Sequence, residues 1–140
     1  MEIILHRRNT VEQLLATPLN FGVEVDVRIH QGELVCQHDP FKAGTKFSEW
    51  LSNFNHGTLI INVKEEGLEI EILKLLKQFN LENYFFLDQS FPYLLKTTKS
   101  GNARVAIRVS EYESYKTAKN LAGKANWIWV DTFSKFPLNA

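Results

Sequence analysis

Three runs, Leu59-Ile60-Ile61-Asn62-Val63, Tyr84-Phe85-Phe86-Leu87 and Trp127-Ile128-Trp129-Val130, are apolar at nearly every consecutive position, and each ends within four or five residues. They are too short for helices that bury an apolar stripe. A strand with one wet face alternates polar and apolar residues, so unbroken apolar runs predict strands covered on both faces. Such strands occur where crossover helices lie against a largely parallel sheet.

The segments between these runs carry helix signals. Leu68, Ile72, Leu75, Leu76 and Phe79 recur at helical spacing and predict a helix over 68–79. Thr10 with Gln13 has the spacing of a capping box. Ser90, with Pro92 just after it, predicts a helix start and Gly101 a stop. Ser110 and Glu113 read as a second capping box, with Gly123 ending that helix. A short helix is expected over 47–54. Strands are expected at 3–5 and 105–109 as well. In a further strand at 22–29, Val23, Val25, Val27 and Ile29 take one face and Glu24, Asp26 and Arg28 the other. Gln31-Gly32 predicts a tight turn into a return strand over 33–37. The expectation is an α/β fold of about six parallel strands with a β-hairpin after the second. Either a shortened (β/α) barrel or an open doubly wound sheet fits. A complete eightfold barrel takes roughly 200 residues or more, against 140 here, which are expected to form a single domain over 1–140.

Sixteen basic residues balance sixteen acidic ones. That balance argues against a broad electrostatic surface for nucleic acid or anionic membrane. A single cysteine, Cys36, excludes an intrachain disulfide and a zinc cluster, and is read as a small buried residue. No apolar run reaches the length of a membrane span, and the first residues lack the pattern of a secretory signal, so a cytoplasmic location is expected.

Polar residues gather where the early strands end. His6-Arg7 follows the first, Glu24-x-Asp26 lies in the second, His38-Asp39 follows the hairpin, and Asn62-x-Lys64 ends the third. In parallel α/β folds, sites form beyond the carboxyl ends of strands. Glu24 and Asp26 share a face about 7 Å apart. Either they are ordinary charges on a wet face, or a cation such as Mg²⁺ or Ca²⁺ relieves their repulsion. His6 and His38 are acid–base candidates near neutral pH, or hydrogen-bonded structural residues. Arg7 and Lys64 suit phosphate, or pair with the nearby acids. Asp88 is expected to cap or pair, Asp131 could line the same mouth, and Trp127 and Trp129 are expected in the core.

The order His6-Arg7, Asn9-Thr10, Glu24-x-Asp26, a hairpin ending in His38-Asp39, then Asn62-Val63-Lys64 resembles the start of a glycerophosphodiester phosphodiesterase, firmly over residues 3–64. The resemblance implies a TIM-barrel-type fold, here incomplete. It implies a divalent metal, Mg²⁺ or Ca²⁺, held by Glu24 and Asp26, with Asn62 where the family has a third carboxylate. It implies His6 and His38 as general acid and base, Arg7 and Lys64 near the phosphate, and a small phosphodiester substrate. Arg8 stands where the family has glycine, and the glutamate before Asn-Thr is missing. The competing expectations are a phosphate-ester-binding module without turnover, or an accessory protein of polysaccharide assembly. Open strand edges at 3–5 and 127–130 predict a homo-oligomer that covers them.

Overall fold

A computed structural model describes residues 1–135. It is a mixed α/β structure in two compact units, Met1–Tyr84 and a second beginning at Phe85.

In the first unit, β1 (Ile4–Leu5) leads to α1 (Val11–Leu15), then β2 (Gly22–His30), β3 (Glu33–Cys36), β4 (Thr45–Lys46), α2 (Phe47–Ser52), β5 (Leu59–Val63) and α3 (Glu69–Gln78). β2 runs parallel to β5 along one edge, with Asp26 opposite Asn62. Its other edge is divided. Gly22 and Val23 pair in parallel with β1, whereas Val27 to His30 pair antiparallel with β3. The backbone between the two stretches is satisfied by other groups: Arg8 N–H donates to Glu24 O, and Gln37 N–H to Asp26 O. β4, absent from the sequence expectation, extends the hairpin by two residues. Gly22 is required where β1 and β5 close on β2: a side-chain carbon there would lie 2.2 Å from Ile4 Cδ1 and 2.8 Å from the Thr58 carbonyl.

Local chemistry accounts for the boundaries. Thr10 and Gln13 form the expected capping box at α1. Gln31 and Gly32 both have positive φ, 50° and 83°, in a two-residue loop between the His30–Glu33 pair, as a type I′ turn requires. Leu14, Phe47, Trp50, Leu59 and Ile61 are buried between sheet and helices. Burying one such side chain contributes roughly 1.5–3 kcal/mol.

In the second unit, β6 (Tyr84–Leu87), which straddles the boundary, is followed by α4 (Phe91–Lys99), β7 (Ala106–Val109), α5 (Tyr115–Asn120) and β8 (Trp127–Val130). β7 and β8 are parallel and in full register, and Phe86 bridges in parallel to Val105. Ser90 caps α4 as expected. α5 differs: it begins at Tyr115 under Ser114. Ser110 and Glu113 instead bond to each other, backbone and side chain, in a tight turn ahead of the helix. β8 departs from expectation too. Trp127 is 42% exposed and Ile128 60%, so this apolar run is not core. Trp127 stacks on Phe85 with ring centroids 4.4 Å apart. Among the described residues no helix is long and apolar enough to cross a membrane.

Candidate active site

The site grows from the divided edge of β2. From Gly22 to Val27 both of its faces are buried, and on the polar one Glu24 is 2% exposed and Asp26 0%. The reading of a wet, ordinarily charged strand face is therefore excluded, and each carboxylate needs donors.

The loop after β1 supplies them. Arg7 takes a left-handed backbone conformation, φ 54°, which aims its N–H at Glu24 Oε2 at 2.7 Å. For a residue with a side chain that conformation costs on the order of 1 kcal/mol and concentrates at functional sites. His6 Nδ1 lies 3.9 Å from the same oxygen, with its ring 53% exposed. Asn9 clamps Asp26 twice: Nδ2 donates to Asp26 Oδ2 at 2.8 Å, and Oδ1 accepts from the Asp26 backbone N–H at 2.9 Å. Trp50 of α2 donates its indole N–H to the Arg8 carbonyl at 2.6 Å and pins the loop from beneath.

β5 adds the other wall. Lys64 Nζ sits 3.0 Å from Asp26 Oδ1 and is mostly buried, so the pairing alternative holds for Lys64. The contact is ionic without hydrogen-bond alignment, since Asp26 Oδ1 has no hydrogen-bond partner. Asn62 Oδ1 is likewise buried with no hydrogen-bond partner, on the strand position directly opposite Asp26. Asp26 Oδ1 is offset by the Lys64 ammonium, but an amide oxygen without a partner, as at Asn62, is costly in a folded core. Among the described residues, no cluster of three His, Cys, Asp or Glu side chains is placed to hold a metal ion. With the Asn62 amide as third oxygen, the donor set Glu24, Asp26 and Asn62 fits a hard divalent cation.

The hairpin brings His38. Its Nδ1 lies 2.9 Å from Asp39 Oδ1, and Lys42 Nζ is 2.7 Å from the other Asp39 oxygen. The hydrogen bond from His38, then that from Lys42, lowers the Asp39 carboxyl from 3.8 to about 2. Because a carboxylate accepts, Nδ1 is the protonated nitrogen, and Nε2 is the one presented outward. Arg28 secures the turn: Nε donates to the His38 carbonyl at 2.9 Å, and its guanidinium reaches Glu65 at 3.2 Å. The Arg7 side chain is exposed.

His6, Arg7, Glu24, Asp26, His38, Asn62 and Lys64 thus all lie in the first unit, on or just beyond β1, β2, β3 and β5. Asp131 lies in the second unit. There Arg108 contacts Asp88, with Glu113 Oε2 at 4.0 Å and Asp131 Oδ2 at 3.7 Å. Burial opposes the charge of Arg108, but the three carboxylates outweigh it and raise its pKa above the usual value. Asp88 therefore pairs, as expected. Asn9 and Asp39 stand inside motifs of the sequence, but their roles, like that of Arg28, emerge only from these contacts. Arg28 could not have been found, because its partners lie 10 and 37 residues away.

No protein-family model matches the sequence, and no curated protein matches it. Among solved structures, a provisionally assigned glycerophosphoryl diester phosphodiesterase from Agrobacterium tumefaciens superposes with a TM-score of 0.71 at 15% identity, over 91% of this chain and 74% of its own. At that identity the likeness shows a shared fold.

Proposed function

We propose that the chain hydrolyses a small phosphodiester of the glycerophosphodiester kind with the help of a divalent cation, Mg²⁺ or Ca²⁺. The observation that carries this reading is the buried oxygen set of Glu24, Asp26 and Asn62, two of whose oxygens lack hydrogen-bond partners, beside the partly exposed ring of His6. The shared fold supports it. The same likeness supports reading the parallel strands as part of an incomplete (β/α) barrel, and a cytoplasmic location remains our expectation.

Glu24, Asp26 and Asn62 would hold the cation. When bound, it supplies positive charge against the charge building on the phosphoryl oxygens. Arg7, with its guanidinium exposed, is available to a phosphate, and Lys64 steadies Asp26 and lends charge at the same end of β5. His6 takes the proton from the attacking water. A new P–O bond forms, the P–O bond to the leaving alcohol breaks, and His38, entering as the imidazolium with Nδ1–H on Asp39, gives that oxygen its Nε2 proton. Asp39 acts on His38 alone, by fixing its tautomer and tilt. General acid–base help of this kind is worth about 100- to 10,000-fold. Asn9, Trp50 and Arg28 are positioning residues.

Turnover of bis(p-nitrophenyl) phosphate with Mg²⁺ or Ca²⁺ tests the proposal. His6→Ala and His38→Ala should each remove at least about 100-fold of kcat; wild-type rates in both variants refute the assignment. A second reading, a module that binds phosphate esters without turnover, is favoured by Lys64 already neutralising Asp26 and by an amide at position 62. It predicts ester binding by calorimetry and no hydrolysis with any divalent ion.

A further inference from the structure

The even charge of the whole chain conceals a division. Residues 85–140 contain eight Lys and Arg against four Asp and Glu, and residues 1–84 contain eight against twelve. The four acids of the second unit all have partners within it. Asp88, Glu113 and Asp131 surround Arg108, and Glu111 accepts from the Phe133 and Ser134 backbone. Lys116, Lys119 and Lys124 are exposed and have no acidic partner among the described residues.

These lysines border an apolar groove of 470 Å³ on the β7–β8–α5 face. Ile107 and Val109 of β7, Ile128 and Val130 of β8 and Tyr115 line it, and among the described residues Lys119 is the only charged one in its lining. Lys116 precedes Lys119 by three residues on α5, hence on a neighbouring position of the helix surface. Lys124 lies between Gly123 and Ala125, both part of the lining. Ile128, Tyr115 and Val130 are 60%, 58% and 39% exposed.

We propose that this face docks on an anionic lipid bilayer, with Tyr115, Ile128 and Val130 entering the interface and the three lysines meeting the headgroups. Aromatic and aliphatic side chains ringed by lysine are the composition that such a boundary selects. Polybasic segments add attraction at an anionic leaflet that salt weakens. A twofold pairing of this face with a second copy would set Lys119 and its neighbours against their own kind, which like charges disfavour. A duplex would meet a groove whose centre is aliphatic, where phosphates gain nothing.

The test is flotation of the full chain with vesicles of neutral phosphatidylcholine, or of phosphatidylcholine with phosphatidylglycerol at about 3:1, across about 50 to 500 mM NaCl. The expected result is binding to the anionic vesicles only, lost as salt rises. It should fall at least about 100-fold in the triple variant Lys116→Glu, Lys119→Glu, Lys124→Glu, and about tenfold in Ile128→Ser. Lys→Gln at the same three positions controls for folding and should fall in the same direction. Cleavage of soluble bis(p-nitrophenyl) phosphate should be unchanged in all of them, which separates this idea from the proposed catalytic site. Equal binding to neutral vesicles, no binding to either, or full binding by the triple variants overturns it. So does light scattering that shows a dimer lost on Ile128→Ser without vesicle binding, or duplex DNA binding without vesicle binding.

Discussion

Asn9→Ala isolates the contact that ties the β1 loop to the acidic strand. It removes a hydrogen bond to a charged acceptor, Nδ2 to Asp26 Oδ2 at 2.8 Å, and a neutral one, Asp26 N–H to Oδ1 at 2.9 Å. The first kind contributes about 1.5–3 kcal/mol and the second about 0.5–1.5 kcal/mol. Asn9 is half-buried and Asp26 fully buried, so water restores part of the loss around the vacated side chain and little at the carboxylate. The expected destabilisation is about 3 kcal/mol. For a chain of this size that lowers the thermal midpoint by about 9 °C. Circular dichroism at 222 nm during heating measures it. Asn9→Asp should be no milder, because it replaces the donor with a second anion beside Asp26. Unlike Asn9→Ala, it should regain part of its midpoint when millimolar Mg²⁺ is added. An Asn9→Ala midpoint within about 2 °C of wild type would mean that Asp26 does not depend on this clamp, and the positioning argument fails.

Lys64→Met should leave Asp26 buried without its cation and lower the midpoint by several degrees at about 2–3 kcal/mol. Added Mg²⁺ or Ca²⁺ should then raise the variant's midpoint more than that of wild type, and equal shifts would count against a cation site there. Asp39, lowered to about 2 chiefly by His38, contributes stability that is present above its ordinary value of 3.8 and is lost as pH falls through about 2. Carboxyl-carbon NMR should show the low titration in wild type and a return toward 3.8 in His38→Ala. Burial, followed by the charges of Asp26 and Glu49, pushes the Cys36 thiol well above its ordinary value. A thiol reagent such as dithionitrobenzoate should therefore react only on unfolding, and fast reaction with the native chain would contradict the packing of β3.

The elements most legible in the sequence are those whose cause is local. Thr10 and Gln13 cap α1 through bonds three residues apart, and the Gln31-Gly32 turn follows from two positive φ angles. The alternation of β2 put Glu24 and Asp26 on one face before any coordinates did. What alternation could not say is whether that face is wet, because burial is decided by chain elsewhere. The same gap misled the reading of β8. Trp127 to Val130 has the composition of core, yet an apolar run looks alike whether or not anything covers it. Ser110 and Glu113 have capping-box spacing, but bonding to each other satisfies them one turn early and delays α5 to Tyr115. Within the site, residue types were legible and partnerships were not: whether Lys64 faces Asp26 or a ligand depends on the β2–β5 register.

The divided edge of β2 means that the segment from His6 to Asn9 stands in for a missing stretch of sheet. Arg7 and Arg8 bond Glu24, and Asn9 bonds Asp26, so three successive residues are counted off against the strand. Adding or deleting one residue in that segment would shift every donor off its acceptor. Such length changes should cost folding and chemistry together. Attempts to retune this chain toward another ester therefore have room around Arg7's exposed side chain, and very little in the loop's spacing.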